Sequence, residues 1–251
     1  MKIATIAWIF LLLAPKAEVG KAVTDFNKGN EFYQSGDYNK AVEYYELALH
    51  TGYMSAELYY NLGNSYYKTG QVGRSILNYE RAKRLDSRDP DIQYNLDIAQ
   101  LRIVDKINEP PQLFYVRFWN KLAGLFNIRD LGYITLVFYV LFIVFVIVRI
   151  LSRSMVVKKV AKIAAIPVLV LLLFTSLLFL QRVNSDIHVK HGIVIVDKVD
   201  ATSSPSQGDT IIFTLHEGVK VVVSEQSGDY LEIKLADGNI GWIRAGAVEI
   251  I

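Results

Sequence analysis

Phe26-Asn27-Lys28-Gly29-Asn30-Glu31-Phe32-Tyr33-Gln34-Ser35-Gly36 and Tyr60-Asn61-Leu62-Gly63-Asn64-Ser65-Tyr66-Tyr67-Lys68-Thr69-Gly70 are one pattern written twice, 34 residues apart. Tyr94-Asn95 starts it a third time, and the pairs Tyr45/Tyr79 and Ala48/Ala82 keep the same offset. Self-similarity at a fixed period of this size marks a stacked helical repeat. Gly29 and Gly63 let the first helix of each copy approach its partner, and Gly36 and Gly70 end that helix. Tyr45 and Tyr79 supply the bulk between layers. Asp89-Pro90 opens a further helix, expected over 91–107, with Ile92, Leu96, Ala99 and Ile103 on one stripe. So short an array needs a cover at its end, which the final helix or a partner is expected to supply.

Residues 23–107 resemble the tetratricopeptide repeat: a small residue at the eighth position, an aromatic at the eleventh, small residues where helices cross. Ser75 stands where the second helix usually carries alanine, and Tyr53 where a repeat usually ends in proline. The resemblance implies an all-α solenoid of two full repeats and a third helix, whose first-helix faces line a concave groove for peptides. By position that face carries Phe26, Asn30, Tyr33, Tyr60, Asn64, Tyr67, Lys68, Tyr94 and Arg102. Asn30 and Asn64 are expected to hydrogen-bond an extended peptide backbone from outside the helix crossing, with the tyrosines adding amphipathic contact area. Lys68 and Arg102 favour an acidic peptide. The alternative is an idle face of consensus residues.

Outside the repeats the composition turns apolar. Of 251 residues 52% are apolar and 21% charged, and mean hydropathy is +0.25, too greasy for a disordered chain. The chain has no cysteine, which excludes disulfide scaffolds, thiol nucleophiles, thiolate zinc sites and iron–sulfur clusters. Net charge is +2, but Arg149, Arg153, Lys158, Lys159 and Lys162 put +5 into one acid-free stretch, leaving −3 on the rest. A nucleic-acid binder carries its basic surplus on a folded domain, so nucleic acid is not an expected partner.

Met1-Lys2, an apolar run over 3–14 and a polar exit have the layout of a signal peptide, assigned to 1–22 with Gly20-Lys21-Ala22 as the cleavage candidate. An uncleaved N-terminal anchor is the alternative. Two further apolar runs, 131–148 and 163–180, hold no charge and each matches the ~30 Å core of a bilayer. They set transmembrane helices at 131–150 and 163–181, joined by a basic loop over 151–162. The positive-inside rule makes that loop cytoplasmic. The expected location is a bacterial inner membrane, with lipid as a partner and both soluble domains periplasmic, an orientation the signal peptide also demands.

Between repeats and membrane, 108–130 form a connector. Pro110-Pro111 breaks the last helix, after which Phe114, Phe118, Trp119, Leu122, Leu125 and Phe126 fall on one stripe. Either this helix lies on the outer leaflet with Trp119 at headgroup depth, or it docks beneath the repeats.

Residues 188–251 turn to β signals, with strands expected at 192–196, 210–215, 218–224, 230–235 and 240–243, and a hairpin at Asp237-Gly238. His216-Glu217-Gly218, Tyr230-Leu231-Glu232-Ile233-Lys234-Leu235-Ala236-Asp237-Gly238 and Gly241-Trp242-Ile243 resemble the bacterial SH3-like domain, which implies a small all-β barrel. Asp200-Ala201-Thr202-Ser203-Ser204-Pro205 departs from the first-strand pattern of that family. Tyr230 and Trp242 are its site candidates, Trp242 chiefly as a half-buried barrel residue. His188, His191 and His216 do not supply the three or four convergent ligands a metal needs.

No nucleophile elbow, dinucleotide turn or zinc-protease helix occurs, so no catalytic residue, cofactor or metal is expected. The whole order, together with Asn27-Lys28-Gly29-Asn30-Glu31-Phe32-Tyr33, Asn108-Glu109-Pro110-Pro111 and Leu215-His216-Glu217-Gly218, resembles the BatE-type proteins of bacterial aerotolerance operons. That resemblance implies a multidomain membrane scaffold working beside membrane proteins with von Willebrand factor A domains and a MoxR-type ATPase. The competing reading is a cell-wall sensor whose SH3-like domain binds peptidoglycan peptides.

Overall fold

A computed structural model describes residues 16–107, 111, 113–126, 128–206 and 209–251. The first fifteen residues of the expected signal peptide and Asn108-Glu109-Pro110 fall outside that set. Two compact units result: the helices before residue 109 together with His191–Ile251, and Pro110–Lys190.

In the first unit the 34-residue period becomes helix pairs, α1 (Lys16–Gln34) with α2 (Tyr38–His50) and α3 (Ala56–Lys68) with α4 (Val72–Leu85), followed by α5 (Pro90–Gln100). Residues 16–22, expected to be the end of a leader, are the start of α1. At each crossing a tyrosine ring packs against glycine. A Cβ on Gly29 would stand 2.5 Å from the Tyr45 ring, and one on Gly63 2.8 Å from Tyr79. Ser75, on the same crossing, is buried and donates to the Gly63 carbonyl at 2.8 Å, so the hydroxyl in place of alanine is satisfied. Gly36 and Gly70 end α1 and α3, both at φ +83°, a left-handed conformation open to glycine at little cost.

Helix starts show how the unit is closed. Asp37, Ser55 and Asp89 cap α2, α3 and α5 through their own side chains, each satisfying an orphan backbone N–H. Gln71, before α4, makes no side-chain cap bond. Instead the Gly73 N–H donates to Glu217 Oε2 at 2.8 Å, from 144 residues away.

Glu217 lies in the turn between β3 and β4 of a seven-stranded sheet of β1 (Lys190–Val194), β2 (Lys198–Thr202), β3 (Ile211–His216), β4 (Lys220–Ser227), β5 (Tyr230–Lys234), β6 (Ile240–Arg244) and β7 (Val248–Ile250). The order is β3-β2-β6-β5-β4-β1-β7, with antiparallel β1·β7, β2·β3, β2·β6, β4·β5 and β5·β6 pairs. The expected closed barrel is corrected: β3 and β7 are edges of an open sheet. Two strands, β2 and β7, are additional to those expected. The Asp237-Gly238 turn joins β5 to β6, with Gly238 at φ +96°. Ala201, Leu215, Val221, Ile233 and Ile243 lead the sheet's buried core.

The sheet domain grips α4 along its length. Lys220 Nζ is 2.9 Å from Glu80. Arg81 donates to Glu249 at 2.9 Å and to the Ile250 carbonyl at 2.7 Å, and Arg84 donates to the Ile251 carbonyl at 2.8 Å. Ile193 is buried in one cluster with Val72, Ile76, Leu96 and Ala99. The end of the array is thus covered by α5, as expected, through Leu96 and Ala99, and also by the sheet through Ile193. The sheet also shortens α5, which stops at Gln100 instead of reaching 107. Beyond it Ile103 and Ile107 pack on the sheet core, and Asp105 accepts from the His216 backbone N–H at 2.6 Å with His216 Nδ1 at 3.0 Å. Tertiary contact outweighs helical continuation there.

The second unit holds α6 (Phe114–Gly124), α7 (Ile128–Leu151) and α8 (Met155–His188). The last two pack on one another and are long and apolar enough to cross a membrane. The basic stretch is not one loop, as expected. Only Ser152-Arg153-Ser154 link the helices, Arg149 lies in the last turn of α7, and Lys158, Lys159 and Lys162 lie on the first turns of α8.

Candidate functional site

The expected groove residues divide into an interior set and a surface set. Phe26 is interior: it is 7% exposed, with its ring 5.9 Å from Tyr45 and 6.0 Å from Tyr53. Asn30 and Asn64, expected to present free amides, are tied into the fold. Asn30 Oδ1 accepts from the Tyr45 hydroxyl at 2.6 Å and from Asn61 Nδ2 at 3.0 Å. One repeat later Asn64 Oδ1 accepts from the Tyr79 hydroxyl at 2.6 Å and from Asn95 Nδ2 at 3.4 Å, and Asn95 Nδ2 also reaches the Tyr60 hydroxyl at 2.6 Å. Burial pushes the Tyr45 and Tyr79 phenols far above the ordinary range, so both are donors at any physiological pH. Each Asn carbonyl oxygen is therefore the acceptor that lets a tyrosine hydroxyl be buried.

The rest are half-buried or exposed. Tyr33 is half-buried and edge-on to Tyr38 at 5.2 Å, its phenol raised by burial and then by Tyr38 and Tyr60. Lys68 Nζ lies 5.9 Å from the Tyr38 ring. Arg102 stacks its guanidinium 4.3 Å over Tyr67, close enough for a cation–π contact. Tyr94 is 65% exposed. Tyr33, Tyr38 and Lys68 thus form one aromatic and cationic group and Tyr67 with Arg102 a second, while Tyr60 packs on Tyr79. Tyr38, Asn61 and Asn95 were absent from the expected set. The 34-residue offset did carry Asn61 and Asn95, but as pattern markers, not as partners of the neighbouring Asn. Tyr38 has Val72 at its offset, so no repetition flagged it.

On the sheet, Tyr230 lines a cleft of about 530 Å³ with Val196, Lys198, Asp229, Arg244 and the 3-10 turn Ala245–Ala247. Trp242 is half-buried and paired with Thr202 and Glu232 across the sheet, and it does not line that cleft. Among the described residues, no three His, Asp or Glu side chains converge as metal ligands.

Residues 29–70 and 63–103 match the family model described as TPR repeat. Among solved structures the Arabidopsis OM64 TPR domain is similar at 16% identity, over 43% of this chain and 78% of that one, with a TM-score of 0.32. A search of the curated proteins gave no match. The repeats are tetratricopeptide repeats, interaction modules for other proteins.

Proposed function

We propose that this chain is a non-enzymatic inner-membrane scaffold that holds an extended segment of a partner protein on its repeats, within an aerotolerance or envelope-stress assembly. The observation that carries the reading is the pair of aromatic and cationic groups, Tyr33 and Tyr38 with Lys68, and Tyr67 with Arg102. Half-exposed tyrosines give large rigid contact at low entropic cost, and the cations add donors for peptide carbonyls or carboxylates. Membrane proteins with von Willebrand factor A domains are the partners the BatE-type resemblance puts forward.

Two features support placing the repeats and the sheet domain on one side of the membrane. They interlock through α4, and an even number of apolar helices, α7 and α8, separates them in sequence. The positive-inside rule then assigns Arg149, Arg153, Lys158, Lys159 and Lys162 to the cytoplasm and both domains to the periplasm. Purification of the full chain in mild detergent, followed by mass spectrometry, tests the reading. Lys68→Ala and Arg102→Ala, both at exposed side chains, should each reduce partner recovery severalfold while the melting curve holds. Unchanged recovery for both would remove the groove.

The cleft at Tyr230 favours a second reading, in which the SH3-like domain binds cell-wall peptides. Lys198, Arg244 and Asp229 all line it, a set suited to a zwitterionic peptide. Sedimentation of the full chain with purified sacculi, lost in Tyr230→Ala, is the outcome it requires.

A further inference from the structure

Helix α6 carries two apolar faces of different fate. Trp119, Leu122 and Phe126 pack on Leu131 and Leu178, the Trp119 ring stands edge-on to Phe174 at 5.7 Å, and its indole N–H donates to Gln181. The other face is bare: Phe114 is 83% and Phe118 67% exposed, with Leu113, Tyr115 and Leu125 each more than half exposed. An apolar patch of this density marks a binding surface. Its occupant follows from where α6 is held. Leu131 opens the apolar run of α7, and Leu178 and Gln181 close that of α8, so α6 lies beside one end of the hairpin. The hairpin it is held against is itself apolar and bare, with Leu136, Tyr139, Val140 and Leu177 also more than half exposed. Arg117 and Arg129 are exposed on the same segment, matching phosphate charge.

We propose that α6 is a membrane-surface helix whose Phe114–Phe118 face sits in the headgroup and acyl boundary of the phospholipid bilayer, with Arg117 and Arg129 at lipid phosphates. Such helices lie about 5–10 Å into the boundary, apolar face down. The alternative, docking beneath the repeats, leaves Phe114 and Phe118 facing water or protein. The inference rests on α7 and α8 spanning the bilayer. The chain holds no cysteine, so each of Phe114→Cys, Phe118→Cys, Val140→Cys and Glu43→Cys introduces the only thiol of the full-length protein. Each is labelled with a nitroxide in phosphatidylethanolamine–phosphatidylglycerol vesicles and read by its relative accessibility to oxygen and to a water-soluble nickel complex. Labels at 114 and 118 should show a severalfold higher oxygen-to-nickel ratio than the label at 43, and a lower one than at 140. Ratios at 114 and 118 equal to that at 43, with 140 still lipid-immersed, would overturn the surface helix alone. A water-accessible label at 140 would overturn the membrane reading and this inference with it.

Discussion

Repeats one and two share the chemistry of their helix crossings, yet the starts of their second helices are capped differently. Both cross a tyrosine over a glycine, and both tie that tyrosine to an asparagine one helix away. Asp37 caps α2 from one residue before it, whereas its counterpart 34 residues on, Gln71, caps nothing. Glu217 of the β3–β4 turn takes that place. Repeat one is thus closed by its own sequence, and repeat two only by a distant part of the chain. A missing local signal here marks a docking surface.

The crossings are where the two repeats should behave alike, and where the largest effect lies. Gly63→Leu must push a side chain through the Tyr79 ring, and overpacking of this kind costs about 1–3 kcal/mol or more. A thermal melt of the full chain followed by circular dichroism should show loss of cooperative helix unfolding at low temperature, with Gly29→Leu close behind. A retained melting temperature in either would break the equivalence. Next come the Tyr–Asn ties. Asn64→Ala strands the buried Tyr79 hydroxyl, an error of about 1–3 kcal/mol, contrary to a surface amide that stability ignores. Denaturant midpoints should fall for Asn64→Ala and recover in the double variant Asn64→Ala with Tyr79→Phe.

The cap difference predicts a smaller, asymmetric effect. Glu217→Ala should cost about 1 kcal/mol and speed hydrogen exchange at the Gly73 amide, without altering the start of α2. Adding Gln71→Asp should restore protection by giving repeat two the local cap of repeat one; failure to do so would mean Glu217 acts only by holding the sheet in place. The smallest effect is in acid. The Lys40 side chain and backbone hold the Asp37 carboxyl below its usual value near 3.8. The stabilisation is therefore complete above that value and is lost as pH falls through the lower folded one. Asp37→Asn should flatten the acid limb of the pH–stability curve below about pH 4, measured by urea midpoints at each pH.

The repeats were legible because their contacts recur at one offset, so Gly29, Gly63, Tyr45 and Tyr79 announce each other. The hairpin was legible because two uncharged runs have few other uses. What escaped depended on partners far away in sequence. Leu101 to Ile107 has helical spacing but is claimed by the sheet through Ile103 and Asp105. Strand β2, Lys-Val-Asp-Ala-Thr, carries two charges in five residues and is fixed by pairing with β3, while β7 has only three residues. Neither offers enough local pattern to find. Asn30 and Asn64 were assigned to a ligand because their type suits one; whether an amide faces out or accepts from a buried phenol is decided by Asn61 and Asn95 in the next repeat.

The grip of the sheet on α4 also sets a clock. The ribosome makes α1 to α5 first and must then add about 90 residues, mostly connector and apolar helices, before β1 emerges, roughly 4–18 s at ordinary elongation rates. Helices form in about a microsecond, so throughout that interval α4 stands folded at one end and uncapped at the other, with Val72, Ile76, Leu96 and Ala99 lacking their cover. Nascent chains of this protein therefore pass through an obligatory sticky stage, in which a holding chaperone has a defined patch to occupy and which ends only when the last strands arrive.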